Sequence, residues 1–303
     1  MVARQRGVAI VLAMTVAALA AIAAAGILVS QSTWARHNTL ATDHAQAQLA
    51  VQGGLELARM VLSADRRSSS TDHLGEPWAM KLAPTEIERG SIEGDVEDAQ
   101  SRFNVNNLVR AGKVDIDQLA RFRRLLSILG LPGALADAAA DWIDGDSTPQ
   151  PGGGAEDTYY LTLQPPYLAA NQPLIDITEL ALVRGFDENV IVRLRPYVTA
   201  LPRYTQVNAN TATPEVLAAV VDGLSLDAAR TLTAQRERIY YRSSADVSTR
   251  LSGERPIRTA DLTVSSDYFL VSVRARIGDS QATGSALIAR DGAWPTFVWR
   301  KLP

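Results

Sequence analysis

The sequence predicts an α+β fold in which a long N-terminal helix packs on an antiparallel sheet that carries a large, inserted all-helical domain. Three observations lead to this prediction. An apolar run starts at Val8 and continues, without proline, into a helix-compatible stretch that reaches Leu62. Alternating apolar and polar residues indicate strands near residue 95 and again after residue 268, and the residues between these two blocks have mostly helical periodicity.

The N-terminus has the features of a membrane anchor. Arg4 and Arg6 precede a 22-residue run, Val8 to Val29, whose one polar interruption is Thr15. As a helix it spans about 33 Å, which is sufficient to cross a bilayer. Because the next basic residue is Arg36, the positive-inside rule predicts a cytoplasmic N-terminus and an exported chain after residue 30. The alternatives are a plain signal anchor and a secretory signal cleaved at the Ala-x-Ala site of residues 21–23, although the apolar run exceeds the usual length for the latter.

The membrane helix is predicted to continue outward as one rod. Ala45, Leu49, Leu57 and Val61 recur at four-residue spacing, with Ala50 and Ala58 beside them. This pattern predicts an amphipathic second half that packs against the chain's own head domain. From Val8 to Leu62 such a rod measures about 82 Å. Gly53-Gly54 weakens the prediction of a continuous helix, because glycine disfavours a helix interior. An ordinary anchor followed by a separate helix is the alternative.

Strand patterns occur in two blocks that are far apart in sequence. Ser91–Asp98 alternates apolar or glycine residues with acidic ones. The second block reads as an antiparallel meander of Tyr268–Ile277, Gln281–Ala289 and Thr296–Arg300, with turns at Gly278-Asp279 and Asp291-Gly292. The strand near residue 95 has no sequence-adjacent partner of similar length, so we predict that it pairs with the distant meander. Residues 104–263 are then an insertion.

The insertion reads as helical. Its predicted helices are Ile116–Leu129, Leu135–Ile143, Ile177–Val183, Asp187–Leu194, Pro214–Val221 and Leu226–Arg238. Thr213 or Thr211 is expected to cap the Pro214 helix, and Asp176 or Thr178 the helix that contains Glu179.

Four carboxylates are close together in one loop of the insertion. Asp144, Asp146, Glu156 and Asp157 lie within 14 residues, separated by two prolines and by Gly152-Gly153-Gly154. A loop flexible enough to fold back would bring these four carboxylates together, and calcium accepts several oxygens in irregular geometry. The loop is not an EF-hand, and a solvated acidic loop without a metal is the alternative. Asp141 is interpreted as a helix-end residue and not as a ligand.

Composition argues against an enzyme. Cysteine is absent, and the three histidines (His37, His44 and His73) lie away from the acidic loop. The sequence has no Gly-x-Ser-x-Gly, His-Glu-x-x-His or Walker motif. The net charge of −3 gives no overall basic field for nucleic acid.

A rival interpretation is a membrane-anchored helix-hairpin-helix DNA-binding protein. The stretch from Val207 through Glu215-Val216-Leu217 to Ala229 resembles such a unit. Its hairpin, Asp222-Gly223-Leu224-Ser225, begins with an aspartate that would repel phosphate. Arg230, Arg236 and Arg238 could form a small basic face, but charged faces of exposed helices are usually solvated. Together with the repelling aspartate, this argues against a nucleic-acid partner.

Four ordered motifs resemble the K subunit of the type II secretion pseudopilus. They are Asp98-Ala99-Gln100-Ser101-Arg102-Phe103-Asn104-Val105-Asn106-Asn107-Leu108, Asp141-Trp142-Ile143-Asp144-Gly145-Asp146, Gly154-Ala155-Glu156-Asp157 with Tyr160, and Val207-Asn208-Ala209-Asn210-Thr211-Ala212 with Val216-Leu217. The resemblance implies a pilin-like head with a large helical insertion, placed at the pseudopilus tip with the I and J subunits. It also implies calcium, as a structural ion, in the region of the acidic loop.

The N-terminus also resembles type IV prepilins, which implies that a prepilin peptidase cuts between Gly7 and Val8. Most pilins carry glutamate at the fifth mature position, whereas this chain has Leu12 there, and the K subunit is similar in lacking that glutamate. The resemblance further implies a single-pass protein of the bacterial inner membrane with its bulk in the periplasm. The major pseudopilin filament is an implied partner, and secreted cargo or the outer-membrane secretin are open candidates.

These inferences together predict six segments. They are 1–7 for the leader, 8–30 for the transmembrane part of the helix, 31–103 for the first part of the head, 104–205 for the inserted helical domain, 206–263 for its helix-hairpin-helix-like second part, and 264–303 for the C-terminal strands of the head.

Overall fold

The computed structural model of the chain describes residues 6–250 and 260–302. Its helices are α1 (Arg6–Ser68), α2 (Ile116–Ile128), α3 (Ala134–Ile143), α4 (Asp157–Tyr160), α5 (Glu188–Leu194), α6 (Pro214–Val220), α7 (Leu226–Arg238) and α8 (Ser244–Arg250). Its strands are β1 (Leu82–Ile87), β2 (Gly90–Asp98), β3 (Phe103–Asn104), β4 (Val109–Arg110), β5 (Lys113–Val114), β6 (Val198–Thr199), β7 (Val207–Asn208), β8 (Leu262–Thr263), β9 (Tyr268–Ile277), β10 (Ser280–Ala289) and β11 (Thr296–Lys301). Short 3-10 helices cover Pro77–Ala79, Ala99–Ser101, Val105–Leu108 and Ile177–Leu182.

Helix α1 is the predicted rod, and at 63 residues it measures about 94 Å. Every residue from Val8 to Thr42 is exposed, and Asp43 is the first buried residue of the rod. Among the described residues, α1 is the one helix whose length and apolar composition suffice to cross a membrane. The helix ends with Arg66 and Arg67 in its last turn, where basic side chains interact favourably with the helix dipole.

The second half of α1 packs across a five-stranded antiparallel sheet of order β1-β2-β9-β10-β11. The buried face of the rod consists of Ala47, Val51, Leu55, Ala58 and Leu62, which share a core with the inner faces of β9 and β10. Glycines permit this close approach, since a Cβ on Gly54 would lie 2.7 Å from Val273 and a Cβ on Gly284 would lie 2.5 Å from Val51.

The packing face of the rod was predicted in part, since Ala58 is buried and Ala50 and Val61 pack against the core shared with the sheet. Leu49 is 66% exposed and Leu57 is 47% exposed, because the sheet lies against a different helix face. Apolar residues occur on both faces of this helix, so their spacing alone does not identify the buried one. The sheet takes the face on which small residues, such as Ala47 and Ala58, alternate with larger ones.

The distant strand pairing is confirmed, since Gly94 on β2 lies opposite Val273 on β9. The expectation that β2 has no neighbour in sequence was wrong, because β1 forms a hairpin with it. Pro84 and a bulge between residues 82 and 85 interrupt the alternation of β1 and hide it from pattern analysis.

The insertion has its own hydrophobic core, to which both of its predicted parts contribute. The six predicted helices are found, five of them with one end shifted by a single residue and Leu226–Arg238 with both ends as predicted, although Ile177–Leu182 is a 3-10 helix. Thr213 accepts a hydrogen bond from the Val216 amide, and Asp176 forms a capping box with Glu179, as predicted. Helices α4 and α8 were not predicted, and residues 251–259 of the predicted insertion lie outside the described residues.

The Asp98 carboxylate joins the head to the insertion. It is buried at the end of β2, and it accepts hydrogen bonds from the Gln100 amide, Asn208 Nδ2, Thr211 Oγ1 and Ser266 Oγ at 2.6–2.9 Å. The chain leaves the head just after Asp98 and returns to it near Ser266. Both crossings and the β7–α6 segment of the insertion are therefore held by one side chain.

A second buried network ties the end of the rod to the sheet. Arg290, which is 2% exposed, donates to Asp65 at 2.6 Å and to both carboxylate oxygens of Asp72 at 2.6 and 2.7 Å. Its guanidinium also lies over the Phe269 ring. Burial is the main cause of the raised pKa values of Asp65 and Asp72, and Arg290 opposes the rise.

We therefore predict that Arg290→Met destabilises the protein by about 3–5 kcal/mol, since it leaves two buried carboxylates without their cation. Urea unfolding of the detergent-solubilised chain measures this. The matched control is Arg274→Met, which removes an exposed ion pair with Glu93 on the same sheet and should cost about 1 kcal/mol or less. Equal losses for the two variants would contradict the assignment.

Candidate functional site

The acidic loop connects the end of α3 to the start of α4. Asp144 is the C-terminal cap of α3, and Glu156 is the residue before the first turn of α4. Helix α3 is held rigidly because all residues from Leu135 to Ile143 are buried. The two ends of the loop are thus fixed by packed elements on the same side of the insertion.

The glycines of this loop serve close packing. A Cβ on Gly154 would lie 2.0 Å from an Asp141 carboxylate oxygen, and one on Gly152 would lie 2.5 Å from Asp137. Gly153 has a φ of +137° and lies against Ala134. The loop was predicted to fold back through flexibility, whereas these contacts fasten it along one face of α3.

Asp141 organises the loop from within. Its side chain is fully buried, and it accepts the Gln150 amide at 3.0 and 3.2 Å together with the Ala155 amide. Burial is the main cause that raises the pKa of Asp141 to about 6. Asp141 therefore positions the returning half of the loop, which goes beyond the helix-end role that the sequence predicts for it.

Three of the four predicted ligands come together. Asp144, Asp146 and Glu156 each offer an oxygen within 4.8 Å of the others. Asp144 is 1% exposed and Glu156 is 3% exposed. Neither carboxylate accepts a hydrogen bond of ordinary geometry from the part of the chain that the structure describes, so four buried oxygens are left without a partner. Such orphaned buried acceptors are costly, and a bound cation would satisfy them.

The pKa values show the same unbalanced charge. Burial, followed by the nearby Asp146 and Asp141 carboxylates, raises the pKa of Asp144 to about 6. Burial, followed by Asp141, Asp144 and Asp146, raises the pKa of Glu156 to about 7. A site made only of clustered carboxylate oxygens suits a hard cation such as calcium.

Asp157 lies outside this cluster. It is the first residue of α4, and its Oδ1 accepts the Ala169 amide at 2.9 Å. This bond fixes the chain that follows α4, and a direct role of Asp157 as a ligand stays a prediction.

Aromatic residues pack against one another at the two ends of the loop and beside it. Trp142 and Tyr160 meet edge to face at 5.1 Å, and Tyr167 stacks on Tyr160 at 5.3 Å. Arg184 lies over Tyr159 and donates to the Gly154 carbonyl. Sequence reasoning missed this supporting role of Arg184, because these contact partners are 25 and 30 residues away in sequence.

A second acidic cluster, made of Asp65, Asp72 and Glu76, is different in kind. Arg290 occupies it through two of the three carboxylates, and Glu76 Oε2 accepts the Trp78 indole N–H and the His73 amide. The cluster therefore already has its cation.

The predicted N-terminal site lies at the start of the rod, next to residues 8–42, which are all exposed. The helix includes the backbone of Gly7 and Val8, and Leu12 is 65% exposed. No side chain of the described head or insertion covers Leu12.

The helix-hairpin-helix resemblance does not produce a basic face. Arg236 is largely buried and donates to the Ala209 carbonyl, and burial lowers its pKa to about 10. Arg230 pairs with Asp227 one turn earlier. Asp222, in the hairpin, accepts from Arg124 on α2, so this hairpin packs within the insertion.

The described chain thus combines an apolar rod, an antiparallel sheet and a helical insertion that carries a carboxylate loop. Models of the family described as type II secretion system (T2SS), protein K match residues 101–203 and 207–265. The chain belongs to this family and is therefore a minor pseudopilin of a type II secretion system. It is 35% identical to the type II secretion system protein K of Pseudomonas aeruginosa over 91% of this chain and 86% of the relative.

Two further comparisons agree. The protein K of Klebsiella pneumoniae is 31% identical over 98% of this chain and 96% of the relative. A chain of the crystal structure of the GspK-GspI-GspJ complex from enterotoxigenic Escherichia coli superposes with a TM-score of 0.77 at 28% identity, covering 88% of this chain and 99% of that one.

The raised pKa of Glu156 predicts a stability effect with a defined sign. Its folded-state pKa of about 7 exceeds the ordinary value of 4.5, so the metal-free fold loses stability as pH rises through this window. At pH 8 in chelator, Glu156→Gln should therefore raise the melting temperature, because it removes a buried and repelled charge.

The same substitution should have little effect near pH 4.5, where the parent carboxyl is protonated in the fold. Added calcium should reverse the order at pH 8, so that the parent melts above the variant. A variant that melts below the parent in chelator at pH 8 would contradict this account of the site.

Proposed function

We propose that this pseudopilin caps the tip of the pseudopilus and initiates its assembly with the I and J minor pseudopilins. The observation that carries the proposal is the place of attachment of the insertion. Its junction with the head involves Asp72, just after the rod ends, since the Asp72 carbonyl accepts from Asn208 and the Asp72 amide donates to Val264. The insertion thus joins the head at the end of the rod that is farthest from the membrane segment.

Leu12 supports the same position. A subunit placed above this one would bring its terminal amine into the membrane, and an unpaired charge there is costly. Leu12 offers no carboxylate to neutralise that amine. A chain that lacks this group and carries a bulky domain at its distal end tolerates neighbours beside and below it.

The partners follow from the relative of known structure, which assembles with GspI and GspJ. We propose the corresponding I and J subunits as partners of this chain, and a prepilin peptidase as the enzyme that cuts between Gly7 and Val8. The chain then acts as a structural component and not as an enzyme. It spans the inner membrane once, with its head in the periplasm, and the outer surface of the insertion is available to cargo or to the secretin.

We further propose that calcium is held by Asp144, Asp146 and Glu156, with Asp157 as a candidate fourth ligand. The residues fit the ion because two of these carboxylates are buried and unpaired among the described residues. When bound, calcium would neutralise the cluster and cross-link the end of α3 to the start of α4. This cross-link would replace the stability that a cysteine-free exported chain cannot obtain from disulfides.

Chelation should therefore lower the melting temperature of the full chain, because an ion that binds the folded state alone adds stability with its concentration. The double variant Asp146→Ala, Glu156→Ala should show no chelator effect. Glu237→Ala, an exposed acid on α7, is the control and should keep the full effect. A parent protein whose melting does not change with chelator would exclude the ion.

The tip position predicts where the protein lies in overproduced pseudopili. Immunogold labelling should find it at one end of each filament. Labelling at regular intervals along the length would rule out the cap.

Leu12→Glu should allow the variant to enter the shaft or should slow initiation, and Leu12→Gln, which adds polarity without charge, is the matched control.

A further inference from the structure

The Glu156 carboxylate is buried in the acidic loop, yet no direct contact holds it there. Its side chain is 3% exposed, and neither of its oxygens accepts a hydrogen bond of ordinary geometry from the described residues. Asp144, on the other side of the proposed calcium site, caps the packed helix α3. Glu156 instead precedes α4, which is only four residues long. The position of the Glu156 carboxylate therefore depends on contacts made by the residues on either side of it.

Arg184 contacts the chain on both sides of Glu156. Its Nη1 donates to the Gly154 carbonyl at 3.2 Å, and Gly154 lies two residues before Glu156. Its guanidinium also lies over the ring of Tyr159, three residues after Glu156, at 4.8 Å from the ring centroid. The backbone amide of Arg184 donates to the Tyr160 hydroxyl at 3.3 Å. One residue thus joins the two ends of the short segment that carries the carboxylate.

Arg184 is attached in turn to the helix that carries Asp144. Val183, the residue before it, is 3% exposed and belongs to the core of the insertion. Gly185, the residue after it, has a φ of +84°, and a Cβ there would lie 2.9 Å from the Leu135 side chain in the first turn of α3. The contacts of Arg184 therefore fix Glu156 relative to α3 from outside the loop.

The geometry of these contacts suits arginine in particular. A guanidinium is planar, so it can donate a hydrogen bond in its plane while its face lies on an aromatic ring. A lysine ammonium is a compact point charge without such a face. The simultaneous contacts of Arg184 with Gly154 and Tyr159 use both properties of the guanidinium.

We infer that Arg184 is a positioning residue of the calcium site, because it clamps the backbone on both sides of Glu156. The inference rests on the proposed binding of calcium by Asp144, Asp146 and Glu156. Residues that orient metal ligands typically contribute about ten- to a hundredfold to the affinity for the metal. The charge of Arg184 has the opposite effect, since a cation near the site repels calcium. Positioning and charge therefore predict changes of opposite sign when the side chain is removed.

The test is the calcium affinity of Arg184→Met in the full, detergent-solubilised chain, measured by titration calorimetry with calcium after removal of bound metal by chelator. The Kd should rise about tenfold or more, because Glu156 is no longer held in place. Arg184→Lys keeps the charge and should also bind more weakly than the parent. The matched control is Arg195→Met, which removes the same charge from an exposed arginine at the end of α5 and should leave the affinity unchanged.

A second pair of variants tests the ring contact without a change of charge. Tyr159→Leu removes the ring on which Arg184 lies and should weaken calcium binding, whereas Tyr159→Phe keeps the ring and should bind like the parent. This pair decides the question if Arg184→Met does not fold, and melting in chelator reports the fold of each variant.

The outcomes separate this inference from the proposed calcium site. Calcium binding by Arg184→Met that equals or exceeds that of the parent would overturn the positioning role and leave the proposed site intact. Equal affinities of Tyr159→Leu and Tyr159→Phe would also overturn it. A parent chain that binds no calcium would remove both proposals.

Discussion

One buried carboxylate holds the two parts of this molecule together. Asp98 is the last residue of β2, and four donors converge on it. They are the Gln100 amide in the next turn, Asn208 on β7, Thr211 in the connection between β7 and α6, and Ser266 in the returning chain. The insertion interrupts the sheet between β2 and β9, yet these two strands remain neighbours in register. This is possible because the chain departs and returns at the same point. The orientation of the insertion relative to the rod therefore depends on this junction.

The chain balances buried acidic charge in three different ways. Asp98 is surrounded by neutral donors, which spread its charge over four hydrogen bonds although burial still raises its pKa to about 6. Asp65 and Asp72 share one buried arginine. Asp144 and Glu156 accept no hydrogen bond of ordinary geometry and form no ion pair among the described residues, and they lie beside further carboxylates. The fold thus supplies hydrogen-bond donors to Asp98 and an arginine to Asp65 and Asp72. The contrast makes the unpaired carboxylates of Asp144 and Glu156 distinctive, and a cation would satisfy them.

Much of the architecture could be predicted because it is written in local periodicity. The rod, the helices and the strands of the meander have strong short-range patterns of apolar residues. The pairing of β2 with β9 was predicted because the strand near residue 95 had no recognisable partner nearby in sequence. Strand β1 escaped because Pro84 and a bulge break its alternation. The packing face of the rod was predicted only in part, because apolar residues such as Leu49 and Leu57 also occur on its exposed side. Asp144, Asp146 and Glu156 were found from their spacing, whereas the positioning role of Asp141 depends on backbone amides that carry no sequence signal.

The two apolar faces of the rod and the distal insertion impose different restrictions on neighbours. The buried face fixes the head to its own rod, whereas the opposite face, with Leu49 and Leu57, is exposed. Above the junction the rod has ended, and the insertion presents a different surface with its own core. Because α1 ends at Ser68, the rod of a neighbouring subunit that lay along it would have no helical partner beyond that residue.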